Sequence, residues 1–194
     1  MIDLERHPFA VIRNIKSQFF LDDAEFEYSR YVSGGRGRTI SREICKVKGS
    51  ELSTKWFLKE LSLLKAGEEL AWHSSVYRLG ARFHIPMVDF QGIYQENKFK
   101  PLVQNLLKRV KGNAYIFDSG RSSHGYMLSL LTEEEWYFYL GLLLLSNPFS
   151  SSEPQIVDSR WVGHSLKQGF SALRWSKNTE LYLQVPFLKE IFEK

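Results

Sequence analysis

The chain reads as an α+β protein, a mostly antiparallel sheet covered by helices, and three observations predict it. Short runs with β-branched or alternating residues are joined by tight turns rather than by regular helical crossovers. A clean 3.6-residue apolar period is clearest over Pro101 to Val110. A capping box, Thr132-Glu133-Glu134-Glu135, starts a separate helix. A hairpin, then helices, then scattered strands, with no repeated strand–helix alternation, is the α+β pattern.

Residues 1–32 mix apolar and charged positions without a period, and read as an irregular lead-in or short helix followed by an edge strand near Phe26-Glu27-Tyr28. Ser33-Gly34-Gly35-Arg36-Gly37-Arg38 is a turn, and Thr39 to Val47 is the returning strand of a hairpin. From Ser53 to Leu79, Trp56, Phe57, Leu61, Leu64, Leu70, Trp72 and Val76 recur at roughly helical spacing with a break at Gly67. That predicts one long helix or two short ones, with His73 a structural residue on it. Ile85 to Gln91 is a strand. Pro101 to Val110 is a helix opened by its proline and ended by Gly112-Asn113. Its outer face, Lys100, Lys108, Arg109 and Lys111, reads as solvated surface, with contact to a phosphate backbone as the alternative. Ala114 to Phe117 and Tyr126 to Leu128 are strands flanking a polar turn. The helix begun at Thr132 ends near Asn147-Pro148, and its acids complement the helix dipole rather than a metal. Gln155 to Arg160 is a further strand, and Ser171 to Lys194 reads as a tail. No linker or repeat divides residues 1–194, which are taken as a single domain.

At 194 residues and 43% hydrophobic content the chain has enough apolar material for a core. Its 26 Lys and Arg against 22 Asp and Glu give a charge of +4, mildly attractive to nucleic acid or nucleotides without demanding them. Cys45 is the single cysteine, which excludes an intrachain disulfide and a thiolate zinc site and fits a reducing cytoplasm. Met1 to Glu5 lacks the cationic start of a signal peptide, and the most apolar run, Trp136 to Leu145, is half the about 20 residues a membrane span needs. A soluble, cytoplasmic protein with no membrane partner is expected.

The chemistry concentrates at Asp118-Ser119-Gly120-Arg121-Ser122-Ser123-His124. Small turn residues let backbone N–H groups point one way, and with Arg121 they make an anion-binding concavity the size of a phosphate. Two solitary strand acids accompany it, Asp89 before and Asp158 after. On strands, Asp89 shares a face with Gln91, Asp158 with Ile156 and Arg160, and Ser122 with His124. If the three strands are neighbours, these side chains converge, and two carboxylates with further oxygen ligands suit Mg²⁺ or Mn²⁺ bridging to phosphate. A hydrolase built on Ser122 and His124 is disfavoured, because no third orienting group and no nucleophile elbow accompany them.

An acid on a strand, then S-x-H in a Ser-Gly-Arg loop, then an acid after an apolar residue resembles the three motifs of the archaeo-eukaryotic primase superfamily, the primase-polymerases. Here they are Asp89-Phe90-Gln91, Ser122-Ser123-His124 and Val157-Asp158, within a resemblance running from about Thr39 to Trp175. It implies an RRM-like primase-polymerase core with an N-terminal α/β unit, and nucleotidyl transfer from a nucleoside triphosphate onto nucleic acid in replication, repair or defence. By the same resemblance Asp89, Asp158 and His124 are catalytic, and Asp89, Gln91 and Asp158 hold the divalent ion. Ser119, Gly120, Arg121, Ser122 and Arg174 take the triphosphate. The implied partners are a nucleoside triphosphate, single-stranded or primer-template nucleic acid, and an accompanying helicase or nuclease. Gln91 stands where the family has a second acid, which removes a charge from the metal site. The alternative is therefore a catalytically degenerate module that binds nucleotide or nucleic acid within a larger assembly. Asp118 is the one nearby acid that could compensate.

Overall fold

The structure is a computed structural model that describes residues 2–34, 39–92, 96–110, 112–149 and 154–193. Helix α1 (Pro8–Gln18) opens with His7 as its cap, and its apolar face, Phe9, Val11, Ile12 and Ile15, is buried. Strands β1 (Glu25–Ser33) and β2 (Thr39–Lys48) form the expected hairpin, paired from Glu25↔Lys48 to Ser33↔Thr39. The hairpin's Arg36 and Arg38 lie outside the described residues. β1 is not an edge strand, because its other side pairs with a strand that the sequence presents as helix.

Helix α2 (Thr54–Ser62), capped by Ser53, covers only the first part of the Ser53–Leu79 segment. The rest is β3 (Glu68–Arg78), the centre of the larger sheet. Leu70, Trp72 and Val76 are alternate-face positions whose period is broken by Ser74, so the spacing imitates a helix. The opposite face, Glu69, Ala71, His73 and Ser75, is equally buried, so no polar stripe marks the strand.

The chain continues through β4 (Ala81–His84), β5 (Met87–Asp89), α3 (Glu96–Arg109), β6 (Ala114–Asp118), β7 (Ser123–Met127), β8 (Leu131–Thr132), α4 (Glu133–Leu145), α5 (Ser159–Gln168), β9 (Ala172–Arg174) and β10 (Phe187–Phe192). α3 starts before Pro101, so the proline lies inside the helix, where it removes one backbone hydrogen bond, and not in its first turn. The capping box of α4 forms as expected, with Thr132 Oγ1 accepting from Glu135 N. The segment after Ser171 is not a tail. β9 pairs with β3 and β10 pairs with β6, each finding its partner far back in the chain.

Among the described residues two sheets result, every pairing antiparallel: β2-β1-β3-β4-β8 with β9 also on β3, and β10-β6-β7-β5. The first core joins α1, α2 and the larger sheet to the Met87, Phe117 and Tyr126 face of the smaller one. At its centre the Trp72 and Trp175 rings stack with centroids 4.5 Å apart. The second core packs the other face, including Val88, Ile116 and Met127, against α3, α4 and α5. Among the described residues no helix is long and apolar enough to cross a membrane.

Candidate active site

Strand register brings the first two candidates together. Asp89 sits opposite His124 on β7, and His124 sits opposite Phe117 on β6, so Asp89 and His124 share the face turned toward the larger sheet. Gly125, on the other face, fixes that register tightly. A Cβ there would lie 2.5 Å from Val88 Cγ1, so only glycine lets the strands close under the second core. Asp89 and His124 are thereby held with Nε2 and Oδ1 3.9 Å apart.

The turn between β6 and β7 is closed by Ser119 N–H donating to Ser122 O at 2.9 Å, and by Asp118 Oδ1 accepting from Gly120 N at 2.7 Å. Gly120 has φ +102°, a left-handed backbone that glycine adopts without strain. These bonds correct the expected anion nest, because the N–H groups of Ser119 and Gly120 are satisfied inside the turn. Side chains face the cleft instead. Ser119 Oγ and Ser122 Oγ lie 3.0 Å apart, and Ser122 Oγ donates to Asp89 Oδ1 at 3.4 Å. Asp118 also accepts from Gln184 Nε2 at 2.8 Å, so it locks the turn and does not supply the missing acid.

Asp158 reaches the site by a route other than the expected strand. Only Val157 pairs, in an isolated bridge to Phe90, and Asp158 is the cap of α5. Its Oδ1 accepts from Arg160 N and Trp161 N at 2.9 and 3.2 Å, and its own N–H donates to Asp89 O at 2.9 Å. The two acids are thus tied backbone to backbone where the smaller sheet meets α5.

The remaining wall comes from the larger sheet and the segment after β9. Arg174 is buried and donates to Ser119 O at 2.7 Å, to Gln184 O at 3.1 Å and to Ser176 O. Its guanidinium lies 4.0 Å from the centre of the Tyr182 ring, over which Arg121 also sits at 5.2 Å. Tyr182 and Tyr31 approach hydroxyl to hydroxyl at 3.2 Å. Arg42, stacked on Tyr31, donates to Ser29 Oγ at 2.7 Å. Asp89, Ser119, Arg121, Ser122, His124, Asp158 and Arg174 all line this cleft of about 300 Å³, together with Tyr31, Arg42, Trp161 and Tyr182.

Burial, then the charge of Asp158, raises the Asp89 carboxyl to about 7, against the pull of the Ser122 hydrogen bond and Arg174. Burial, then the Arg174 charge, lowers His124 to about 3. The imidazole is therefore neutral at physiological pH, and its approach to Asp89 is not an ion pair. Among the described residues, the positive charge at the cleft comes from Arg121, Arg174 and Arg42 rather than from His124. Gly120 shapes the turn from behind, against Leu183 and Gln184.

Gln91 is the candidate the structure does not bring in. β5 ends at Asp89, and Gln91 is exposed beyond it, its N–H donating to Ile156 O at 2.9 Å. It is not part of the cleft lining. Gln91→Asp, which the sequence alone would expect to rebuild a D-x-D metal site, should leave divalent-ion affinity within about twofold of wild type, the scale of an exposed charge. Calorimetric titration with Mn²⁺ checks this, and a tightening of tenfold or more would place the side chain in the site. Tyr31, Arg42 and Tyr182 carry no motif and were visible only once the two sheets faced each other.

Residues 48–187 match the family model AEP-like, described as archaeo-eukaryotic primase 1D-like. No curated protein and no solved structure matches the chain. The matched span holds Asp89, the Ser119–His124 turn, Asp158 and Arg174, and leaves out α1, β1 and nearly all of β2, hence Tyr31 and Arg42.

Proposed function

The chain belongs to the AEP-like, archaeo-eukaryotic primase 1D-like family, and we propose that its cleft is a metal-dependent nucleotidyltransferase site of the primase or polymerase type, within one domain spanning residues 1–194. The observation that carries this reading is the convergence of Asp89, Ser122, His124, Asp158, Arg121 and Arg174 on a single cleft. A nucleoside triphosphate would place its phosphates along Ser122 and Arg121, with Arg174 adding charge from behind the turn. A primer 3′-hydroxyl would attack the α-phosphate and release pyrophosphate, so the second partner is single-stranded or primer-template nucleic acid. An accompanying helicase or nuclease, and a reducing cytoplasmic setting consistent with the lone Cys45, belong to the same reading.

The donor set fits a hard divalent ion sparingly. Burial, and then the Asp158 charge, raises Asp89, and Asp158 keeps one oxygen beyond the one that caps α5. Among the described residues no three His, Cys, Asp or Glu groups form a ready cage. Mg²⁺ or Mn²⁺ commonly binds through one or two carboxylates plus substrate phosphate, and when bound it would neutralise phosphate charge as a Lewis acid. Asp89 and Asp158 would hold it, while Ser122 keeps Asp89 oriented.

The sparse donor set also favours a second reading, a module that binds nucleotide or nucleic acid without transferring it. Calorimetry separates binding from its absence. With Mn²⁺ present, Arg121→Ala should weaken the triphosphate about tenfold, the scale of one charge-assisted contact, and leave the nucleoside unchanged. Equal losses for both ligands would remove the phosphates from the Ser119–His124 turn.

A further inference from the structure

Helix α4 is apolar on every side, through Trp136-Tyr137-Phe138-Tyr139-Leu140-Gly141-Leu142-Leu143-Leu144-Leu145. Trp136, Tyr139, Leu140 and Leu143 form the buried face. At 100° per residue, Tyr137, Phe138, Leu144 and Leu145 fall on the outer side, where a surface helix normally carries polar residues. They are 44, 59, 39 and 84% exposed, and nothing among the described residues covers them. Gly141 lies midway along this stripe, and a Cβ built there would meet nothing within 4 Å. Charges of opposite sign bound the stripe. Glu133 and Glu134 are exposed at its start, and Arg109 of α3 shares a groove with Leu142, Leu145 and Ser146 at its end.

We propose that this face docks a second copy of the chain, α4 against α4, antiparallel about a two-fold axis at Gly141. The residues are spaced for that operation. Tyr137 and Phe138 precede the glycine by the same intervals at which Leu145 and Leu144 follow it. An antiparallel pair therefore sets Tyr137 against the partner's Leu144 and Phe138 against the partner's Leu145, each on its own flank. Gly141 lets the two backbones approach where they cross. The same rotation brings Glu134 of each copy to the end of the other helix where Arg109 lies, whereas parallel pairing would set Glu134 against Glu134. Charge complementarity thus selects the antiparallel arrangement, and the two-fold closes it so that no patch is left to propagate.

Analytical ultracentrifugation of the intact chain over the micromolar range tests it. Wild type should pass from monomer to dimer as concentration rises, and Phe138→Glu should raise the dimer dissociation constant about tenfold or more, as for a central apolar anchor. Both should have the same far-ultraviolet circular dichroism. Glu134→Arg and Arg109→Glu should each weaken the dimer about threefold, and the double variant should restore it. A chain that stays monomeric, a dimer indifferent to Phe138→Glu, or charge reversals that do not rescue one another would overturn the proposal.

Discussion

Glu69→Ala should lower the unfolding free energy by on the order of 3 kcal/mol, because it removes a buried carboxylate that several donors share, the buried Ser176 hydroxyl among them. Glu69 is fully buried on β3, and its carboxylate accepts from Asn178 N at 2.9 Å, Thr179 N at 2.8 Å, Thr179 Oγ1 at 2.7 Å and Ser176 Oγ. It therefore staples the segment that follows β9 to the centre of the larger sheet, and that segment carries Tyr182 into the cleft. Glu69 is also a counter-charge to the buried Arg174. Thr179→Ala, which removes one donor and strands none, should cost only about 1 kcal/mol. Urea unfolding of the two variants measures the difference. A loss under 1 kcal/mol for Glu69→Ala would show that water replaces the carboxylate and that the segment is not held as described.

Glu69 also shows where sequence reading stops. The Ser119–His124 turn was legible because its chemistry is local: small residues, a glycine at positive φ, and S-x-H alternation entering a strand. The α4 capping box was legible for the same reason. β3 was not, since Ser74 breaks its alternation and the buried Glu69 looks like a surface residue until its distant partners are known. β9 has three residues and takes its pairing from β3, a hundred positions earlier in the chain, so nothing within it announces a strand. Asp158 lines the cleft, but from a helix cap and not from the strand that its sequence suggests. The following Ser159-Arg160-Trp161 turn into α5 makes it a cap, which halves the oxygens it can offer. The convergence of Asp89 with His124 depended on strand order, and the expected neighbours β5 and β7 do pair.

Stability should fall steeply as the pH drops below about 6.5. Four buried histidines are held neutral in the folded chain: His7 lowered to about 4, His84 and His124 to about 3, and His73 lowered as well, burial being the largest cause in each. His7 shows why. Its Nδ1 accepts from Phe9 N at 3.1 Å while Nε2 faces Trp175 O at 2.8 Å, so an added proton would point at another N–H. The unfolded chain binds these protons near pH 6.5 and the folded chain does not, so each histidine removes about 1.4 kcal/mol per pH unit below that value until its folded pKa is reached. Asp89, raised to about 7, acts in the opposite sense down to the ordinary carboxylate range and offsets one histidine. From His7, His84 and His124 less Asp89 the net slope is on the order of 3 kcal/mol per pH unit between 6 and 5, with His73 acting in the same direction, a large share of a typical domain's stability. Melting temperature against pH is the check, with His84→Gln expected to flatten the curve by one histidine's share. A midpoint unchanged from pH 6.5 to 5 would mean that these imidazoles are protonated in the fold.

The central claim is that Asp89 and its neighbours form a nucleotidyl-transfer site, and primer extension with Mn²⁺ by wild type and by Asp89→Asn tests it most directly. Asparagine matches the shape of the largely buried carboxyl and leaves its Ser122 contact in place, so folding should be unaffected and any change belongs to the chemistry. Wild type should extend the primer and Asp89→Asn should lose at least about a hundredfold in rate, the scale of removing a group that acts on the reacting phosphate. Equal extension by both would contradict the account, and a wild type that binds nucleoside triphosphate yet adds none would leave only the binding module.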